Sequence, residues 1–351
     1  MKTEVRVIDE TNIDREIIER AGSILKTGGL VAFPTETVYG LGGDALNRES
    51  SKKIYAAKGR PSDNPLIIHI ADVESLAAIV ESIPETAEKL AEKYWPGPLT
   101  MILRKSERVP FETTGGLDTV AVRMPRHQTA LALIRAAGGY VAAPSANTSG
   151  KPSPTQAEFV REDMDGRIDM IIDGGQACIG LESTIVDLTG ETPMVLRPGY
   201  ITKEMLQDTL KMPVALDRTI LQEDSKEAPR APGMRYRHYA PKGELTIIAG
   251  EEKKVIAAIN ERTEKMRREG QKVGVIGTEE TAALYRADSV KCAGSRQKET
   301  TVAKELYRIL REFDDENVTV IYSEAFEDTG IGQAIMNRLL KAAGHRIEHI
   351  D

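Results

Sequence analysis

Cysteine is nearly absent. Only Cys178 and Cys292 occur among 351 residues, far apart and neither in a CxxC pair. That excludes a disulfide framework and a cysteine-rich zinc site, and it suits a reducing compartment. Aromatic residues are scarce at 5%, with one tryptophan, so the core is expected to be aliphatic. Positive charge is not in excess: 47 Lys and Arg stand against 54 Asp and Glu, a net of −7. A protein that coats nucleic acid through bulk charge is thereby disfavoured. No apolar run approaches the roughly 20 residues of a bilayer span. The opening MKTEVRVIDE carries charges where a signal peptide would be apolar. A soluble, cytoplasmic protein with no membrane partner is expected. Walker A, HExxH, GxSxG and EF-hand patterns are missing, as is any repeat of 20–50 residues.

What remains is ordinary globular composition, 40% apolar and 29% charged, in a chain long enough for two domains. Residues 1–212 alternate short β-branched runs with helical patterns. LVAFPT (30–35), PLIIHI (65–70), LTMILR (99–104), TVAVRMP (119–125), YVAAPS (140–145), MIID (170–173), STIVDL (183–188) and MVLRP (194–198) read as strands. Residues 12–25, 75–83 and 86–95 read as helices. Strands follow closely over 99–125 and 170–198, so a mixed rather than a purely parallel sheet is expected. Residues 213–242 break the rhythm and read as a linker. Its half from Ala228 to Lys242 has four basic residues, two tyrosines, a histidine and no acid. It is either a solvated tether or a loop that folds over an anionic ligand. From 243 to 351 regular β-α alternation returns, the pattern of a small parallel sheet with helices on both faces.

Chemistry-bearing residues gather at strand ends of the first domain. PTETVYGLGGDA (34–45) offers hydroxyls and glycines for close approach to a polar ligand, or merely a hairpin or turn that needs glycine. In KGRPSDNPLIIHI, Lys58 and Arg60 are suited to phosphate oxygens. His69 is either a core histidine or a ring presented to a ligand. Thr119 and Arg123 share one face of a strand, and a buried Arg123 needs a partner, which a carboxylate or phosphate ligand would supply. PSANTSGKPSPT supplies Ser145, Asn147, Ser149, Lys151 and Ser153, as an anion-binding loop or as helix caps. Ser183 and Arg197 lie at further strand boundaries. Gly330-Ile331-Gly332, before the helical stretch AIMNRLLKAAG, is either a partial phosphate loop or a helix N-terminal turn. No Ser-His-Asp set or carboxylate pair stands out. The residues alone point to a site that holds a polyanion and a small polar partner, acting by positioning and charge neutralisation.

FPTETVYGLG, KGRP with NPL, YWPGPLT, VAVRMP, APSAN and STIVD, in this order, resemble the YrdC-type L-threonylcarbamoyladenylate synthases. PGMRYRHYAP and GIGQAIMNRLLKAA resemble the longer, two-domain SUA-type members, so the resemblance spans the chain. No core motif departs from the pattern. The resemblance implies a YrdC-like catalytic domain over 1–212, a twisted mixed sheet with surrounding helices. A linker or lid over 213–242 and a smaller Rossmann-like α/β domain over 243–351 would follow. It implies a nucleotidyltransferase that joins L-threonine, bicarbonate and ATP, with Mg2+, into threonylcarbamoyl-AMP and pyrophosphate. A downstream transferase complex would then modify adenosine 37 of tRNA. Threonine would be held at Thr37, His69, Arg123, Ala143 and Ser183. ATP would be held at Lys58, Arg60, Asn64, Thr119, Ser145, Ser153 and Arg197, with Arg235 and Tyr236 from the linker. Lys58 and Arg60 are the catalytic choices, and no dedicated protein metal cage is implied. Direct tRNA binding is expected to be weak or absent. Two other readings exist: an RNA-binding module using a basic concave face, and a carbamoyl-transferring maturation factor. The charge of −7 opposes the first and the two isolated cysteines oppose the second.

Overall fold

The computed structural model describes residues 2–220, 230–231 and 238–350. Their contacts divide into two compact units, residues 1–149 with 153–235, and residues 150–152 with 236–351.

In the first unit the β-branched runs become strands of one sheet. These are β1 (Glu4–Val7), β2 (Val31–Phe33), β3 (Gly40–Asp44), β4 (Ile67–His69), β5 (Leu99–Arg104), β6 (Thr119–Arg123), β7 (Val141–Ala142), β8 (Met170–Asp173), β9 (Thr184–Asp187), β10 (Met194–Arg197) and β11 (Ala215–Leu216). Their order is β1-β8-β2-β3-β7-β4-β6-β5-β9-β10-β11. The sheet is mixed, as the short breaks between strands require. β4 and β6 are parallel, β6 and β5 antiparallel, β5 and β9 parallel, β9 and β10 antiparallel.

Helices α1 (Arg15–Lys26), α2 (Arg48–Lys58), α3 (Glu85–Tyr94), α4 (Phe111–Thr114), α5 (Gln128–Ala136), α6 (Ala157–Met164) and α7 (Lys203–Leu210) complete this unit. In α1 the Asp14 carboxylate accepts from the Glu16 and Ile17 amides, and Ile18, Ala21 and Leu25 form the buried stripe. Helix α2 starts at the Asn47 cap and stops at Gly59, whose φ of 61° is left-handed. That stop fixes Lys58 as the last helical residue. The core is aliphatic, with Leu41, Ile54, Ile68, Leu103, Val122 and Val186 in one cluster and Leu25, Val31, Leu133 and Ile172 in another.

The second unit has β12 (Glu244–Gly250), β13 (Val273–Gly277), β14 (Ser289–Cys292), β15 (Val320–Glu324) and β16 (Ile347–Ile350), with α8 (Glu252–Arg268), α9 (Glu299–Asp315) and α10 (Gly330–Ala343). All described pairings are parallel, in the order β14-β13-β15-β12-β16. Residues 150–152 belong here because Arg311 on α9 donates Nε and Nη2 to the Pro152 carbonyl at 3.1 and 2.7 Å.

One expectation is corrected, and two open readings are decided. The helix over 75–83 is only a 3₁₀ segment, Val73–Ala78. Val80 instead bridges Lys105, and Pro84 disfavours helix at the residue before it. The glycine-rich stretch after Tyr39 is the buried strand β3, which forms an antiparallel hairpin with β2, one of the readings of this segment. Val141 and Phe33 fill the space a side chain on Gly42 would need, at 2.9 and 3.0 Å. Of the two readings of Gly330–Gly332 the helix N-terminal turn stands: it is the first turn of α10, and the Gly332 amide donates to Glu299.

Candidate active site

Strands β4, β6, β5, β9 and β10 lie side by side. Register aligns His69 with Arg123, Arg123 with Thr100, Thr100 with Ile185, and Ile185 with Arg197. Residues paired across strands share a face, so the row from His69 through Arg123 and Thr100 to Arg197 projects to one side. Two residues along, the same face carries Ile67, Ala121 and Ile102. With Ile185, Leu196 and Ala231 they form a small apolar cluster. Thr119, at the start of β6, lies on this face at the far end and is half-buried. The result is an aliphatic floor bordered by polar groups. Through Ala231, one described residue of the linker rests on that floor. Arg230 beside it reaches Asp187 and Asp217 at 3.2 and 2.6 Å.

Arg123 organises the row. Its Nη1 donates to Thr37 Oγ1 at 2.8 Å and its Nε to the Gly97 carbonyl at 3.4 Å. Its charge partner is Glu36, with Nη2 and Oε2 2.6 Å apart and both side chains buried. Reasoning from sequence demanded a partner but missed Glu36. The available signal was an acid in the apolar-flanked run FPTETVYG, which no solvated loop would need. Ser183 Oγ is 2.7 Å from Thr100 Oγ1. Arg197 donates Nη2 to Ser183 Oγ at 3.2 Å and Nε to the Ser183 carbonyl at 3.0 Å. Arg197, expected at the nucleotide, and Ser183, expected at threonine, are therefore joined.

His69 belongs to the row and not only to the core. Its Nδ1 is 3.2 Å from the Ile67 carbonyl, and its ring meets Phe33 edge to face. Burial, reinforced by the Arg123 charge, pushes its pKa down to about 3. The ring is neutral at physiological pH.

The remaining candidates sit in smaller groups. Lys58 Nζ donates to the carbonyls of Ser145 and Asn147. Ser145 Oγ donates to Asn147 Oδ1 at 2.5 Å, and Ser145 bridges Gly40 at the start of β3. Arg60 Nη2 donates to the Pro65 and Asn64 carbonyls at 3.1 and 3.4 Å, and Asn64 is buried. The Ala143 amide continues the β7 pairing onto the Ile67 carbonyl at 2.9 Å. Ser153 Oγ donates to Glu182 Oε1 at 2.5 Å, so its hydroxyl is not serving as a helix cap. Among the described residues no side-chain hydrogen bond ties Thr119 to the others. Arg235 and Tyr236 lie outside the described residues.

Residues 23–199 match the family model described as telomere recombination, that of Sua5, YciO and YrdC. Residues 201–344 match the model described as threonylcarbamoyl-AMP synthase, C-terminal domain. The chain belongs to the Sua5-type threonylcarbamoyl-AMP synthase family. A threonylcarbamoyl-AMP synthase of Bacillus subtilis (strain 168) is 49% identical over 351 residues, 99% of both chains. Another, of Pyrococcus abyssi, is 50% identical over 330 residues, 94% of this chain and 95% of that one. Among solved structures, the Sua5-type protein of P. abyssi complexed with L-threonine superposes with a TM-score of 0.94. It is 47% identical and covers 99% of this chain and all of its own. E. coli YciO, at 25% identity and a TM-score of 0.51, covers only 56% of this Sua5-type chain. Two-domain membership is thus carried by matches over nearly the full length.

Proposed function

We propose that this chain forms threonylcarbamoyl-AMP and pyrophosphate from L-threonine, bicarbonate and ATP. The observation that supports it best is the buried, hydrogen-bonded row Thr37–Arg123 and Ser183–Arg197 above an aliphatic floor. Such a row suits a small amino acid at one end and phosphates at the other. Arg123 offers its fork to the threonine carboxylate. Thr37, the neutral His69, Ser183 and the Ala143 backbone meet its other polar atoms. Lys58 and Arg60 neutralise the phosphates together with Arg197, while Asn64, Thr119, Ser145 and Ser153 supply hydrogen bonds. From the linker, Arg235 and Tyr236 are assigned to the nucleotide on the family resemblance.

Threonine's amine takes up carbon dioxide from bicarbonate to give a carbamate. A carbamate oxygen attacks the α-phosphorus of ATP, and the α–β phosphoanhydride bond breaks to release pyrophosphate. The chain's part is to hold the two anions in line and stabilise the charge that develops on the phosphates. The aliphatic floor keeps water from a mixed anhydride that it would hydrolyse.

Mg2+ would enter as part of MgATP. Lys58, Arg60, Asn64 and Ser145 fit phosphate oxygens rather than a cation. Among the described residues no group of three or more His, Cys, Asp or Glu is placed to hold a metal. Also among them, no helix is long and apolar enough to cross a membrane. We place the enzyme in the cytoplasm, passing its product to a tRNA-modifying transferase complex.

The test is pyrophosphate release from MgATP, omitting threonine and bicarbonate in turn. Release should need both and stay low with serine or glycine. Release indifferent to threonine, or no release but salt-sensitive RNA binding unchanged by ATP, would put the RNA-binding reading first.

A further inference from the structure

Glu36 and Arg123 are a buried ion pair that leaves much of its hydrogen-bonding capacity unused. Glu36 is 2% exposed and Arg123 4%. Their closest atoms are 2.6 Å apart. Yet neither carboxylate oxygen of Glu36 has an aligned hydrogen-bond partner among the described residues, and Nη2 of Arg123 has none either. The groups cancel charge but do not satisfy one another. A buried carboxylate with idle lone pairs is costly, and a fold retains it where a ligand relieves the cost. The pair carries no net charge, offering acceptors on one side and donors on the other.

We propose that Glu36 takes the ammonium group of the amino-acid substrate while Arg123 takes its carboxylate, so that the pair selects a zwitterion. The proposal rests on the threonine reading above and adds Glu36 to it as a substrate-positioning residue. A zwitterion enters without unbalancing the pair. A lone anion is repelled by Glu36, and a lone cation by Arg123. The chemistry gives Glu36 a second effect. In carboxylation, RNH3+ and HCO3− give RNHCOO−, water and one proton released to solvent. The nitrogen loses the charge that faced Glu36, and the new anionic carbamate is repelled from Glu36 while the cations Lys58 and Arg60 favour it.

The experiment is calorimetric titration of the full chain, saturated with a non-hydrolysable ATP analogue. The ligands are L-threonine, 3-hydroxybutyrate, which lacks the amine, and threoninol, which lacks the carboxylate. Each trimmed ligand should bind the unaltered protein at least about tenfold more weakly. In Glu36→Gln, threonine should weaken by about 10- to 100-fold, while 3-hydroxybutyrate holds or tightens. Glu36→Asp should keep the original preference. If Glu36 merely steadies Arg123, the glutamine variant weakens all three alike and the proposal falls. Equal binding of threonine and 3-hydroxybutyrate to the unaltered chain also overturns it, and that arm needs no variant to fold. No binding of threonine at all would overturn the functional reading itself.

Discussion

A guanidinium buried at the end of β6 needs compensation wherever it comes from. Sequence alone pointed to a ligand; the resident answer is Glu36, joined with Thr37 from a segment 86 residues earlier in the case of Thr37. Such pairings depend on strand order, which local pattern does not encode. Arg123→Ala would strand the Glu36 charge. A loss of about 3–5 kcal/mol is expected, measured by chemical denaturation, with threonine-dependent pyrophosphate release abolished. A stability change near zero would mean the pair is not buried as described. His69 adds a pH effect. Its pKa falls from 6.5 unfolded to about 3 folded, so between those values only the unfolded chain takes the proton. Stability from the neutral ring is complete above 6.5 and is lost as pH falls toward 3, by up to about 1.4 kcal/mol per pH unit. Burial depresses His127 in the same direction. The melting temperature should drop from pH 7 to pH 5, and His69→Asn should flatten part of that slope.

Among the elements, strands rich in Val and Ile were legible because branched side chains mark a buried pleat. β3 was not, since Gly40, Gly42 and Gly43 give no pattern and their neighbours do the packing. The edge pieces β1, β11 and β16 are short or polar, and they escaped notice for that reason. The loop that presents Arg60 and Asn64 depends on an element with no chemistry of its own. Helix α4 ends at Gly115, whose φ is 63° and whose absent Cβ would meet the Asp63 carbonyl at 2.9 Å and the Pro65 nitrogen at 3.1 Å. Gly115→Ala should cost about 1–2 kcal/mol and push the Asn64–Pro65 carbonyls away from Arg60. The expected kinetic signature is a raised KM for ATP with the KM for threonine unchanged.

At the scale of the molecule, the change of rhythm at residue 243 was visible in the sequence. The assignment of Gly150–Pro152 to the second unit was not, because it rests on contacts distant in sequence, the Ala240 amide on the Gly150 carbonyl at 2.9 Å and Arg311 on the Pro152 carbonyl. Arg311→Ala removes both donors to the Pro152 carbonyl, one residue before Ser153. A loss of about 1–3 kcal/mol is expected from the unmet buried carbonyl, together with a higher KM for ATP. Unchanged ATP kinetics would confine Arg311 to a stabilising role. The same three residues bear on modularity. The polypeptide passes from one unit to the other after Ser149 and returns after Pro152. A gene truncated at the linker would leave this tripeptide behind without its arginine. Removal of the second unit would therefore leave a loop inside the first with its Gly150 and Pro152 carbonyls stripped of their partners.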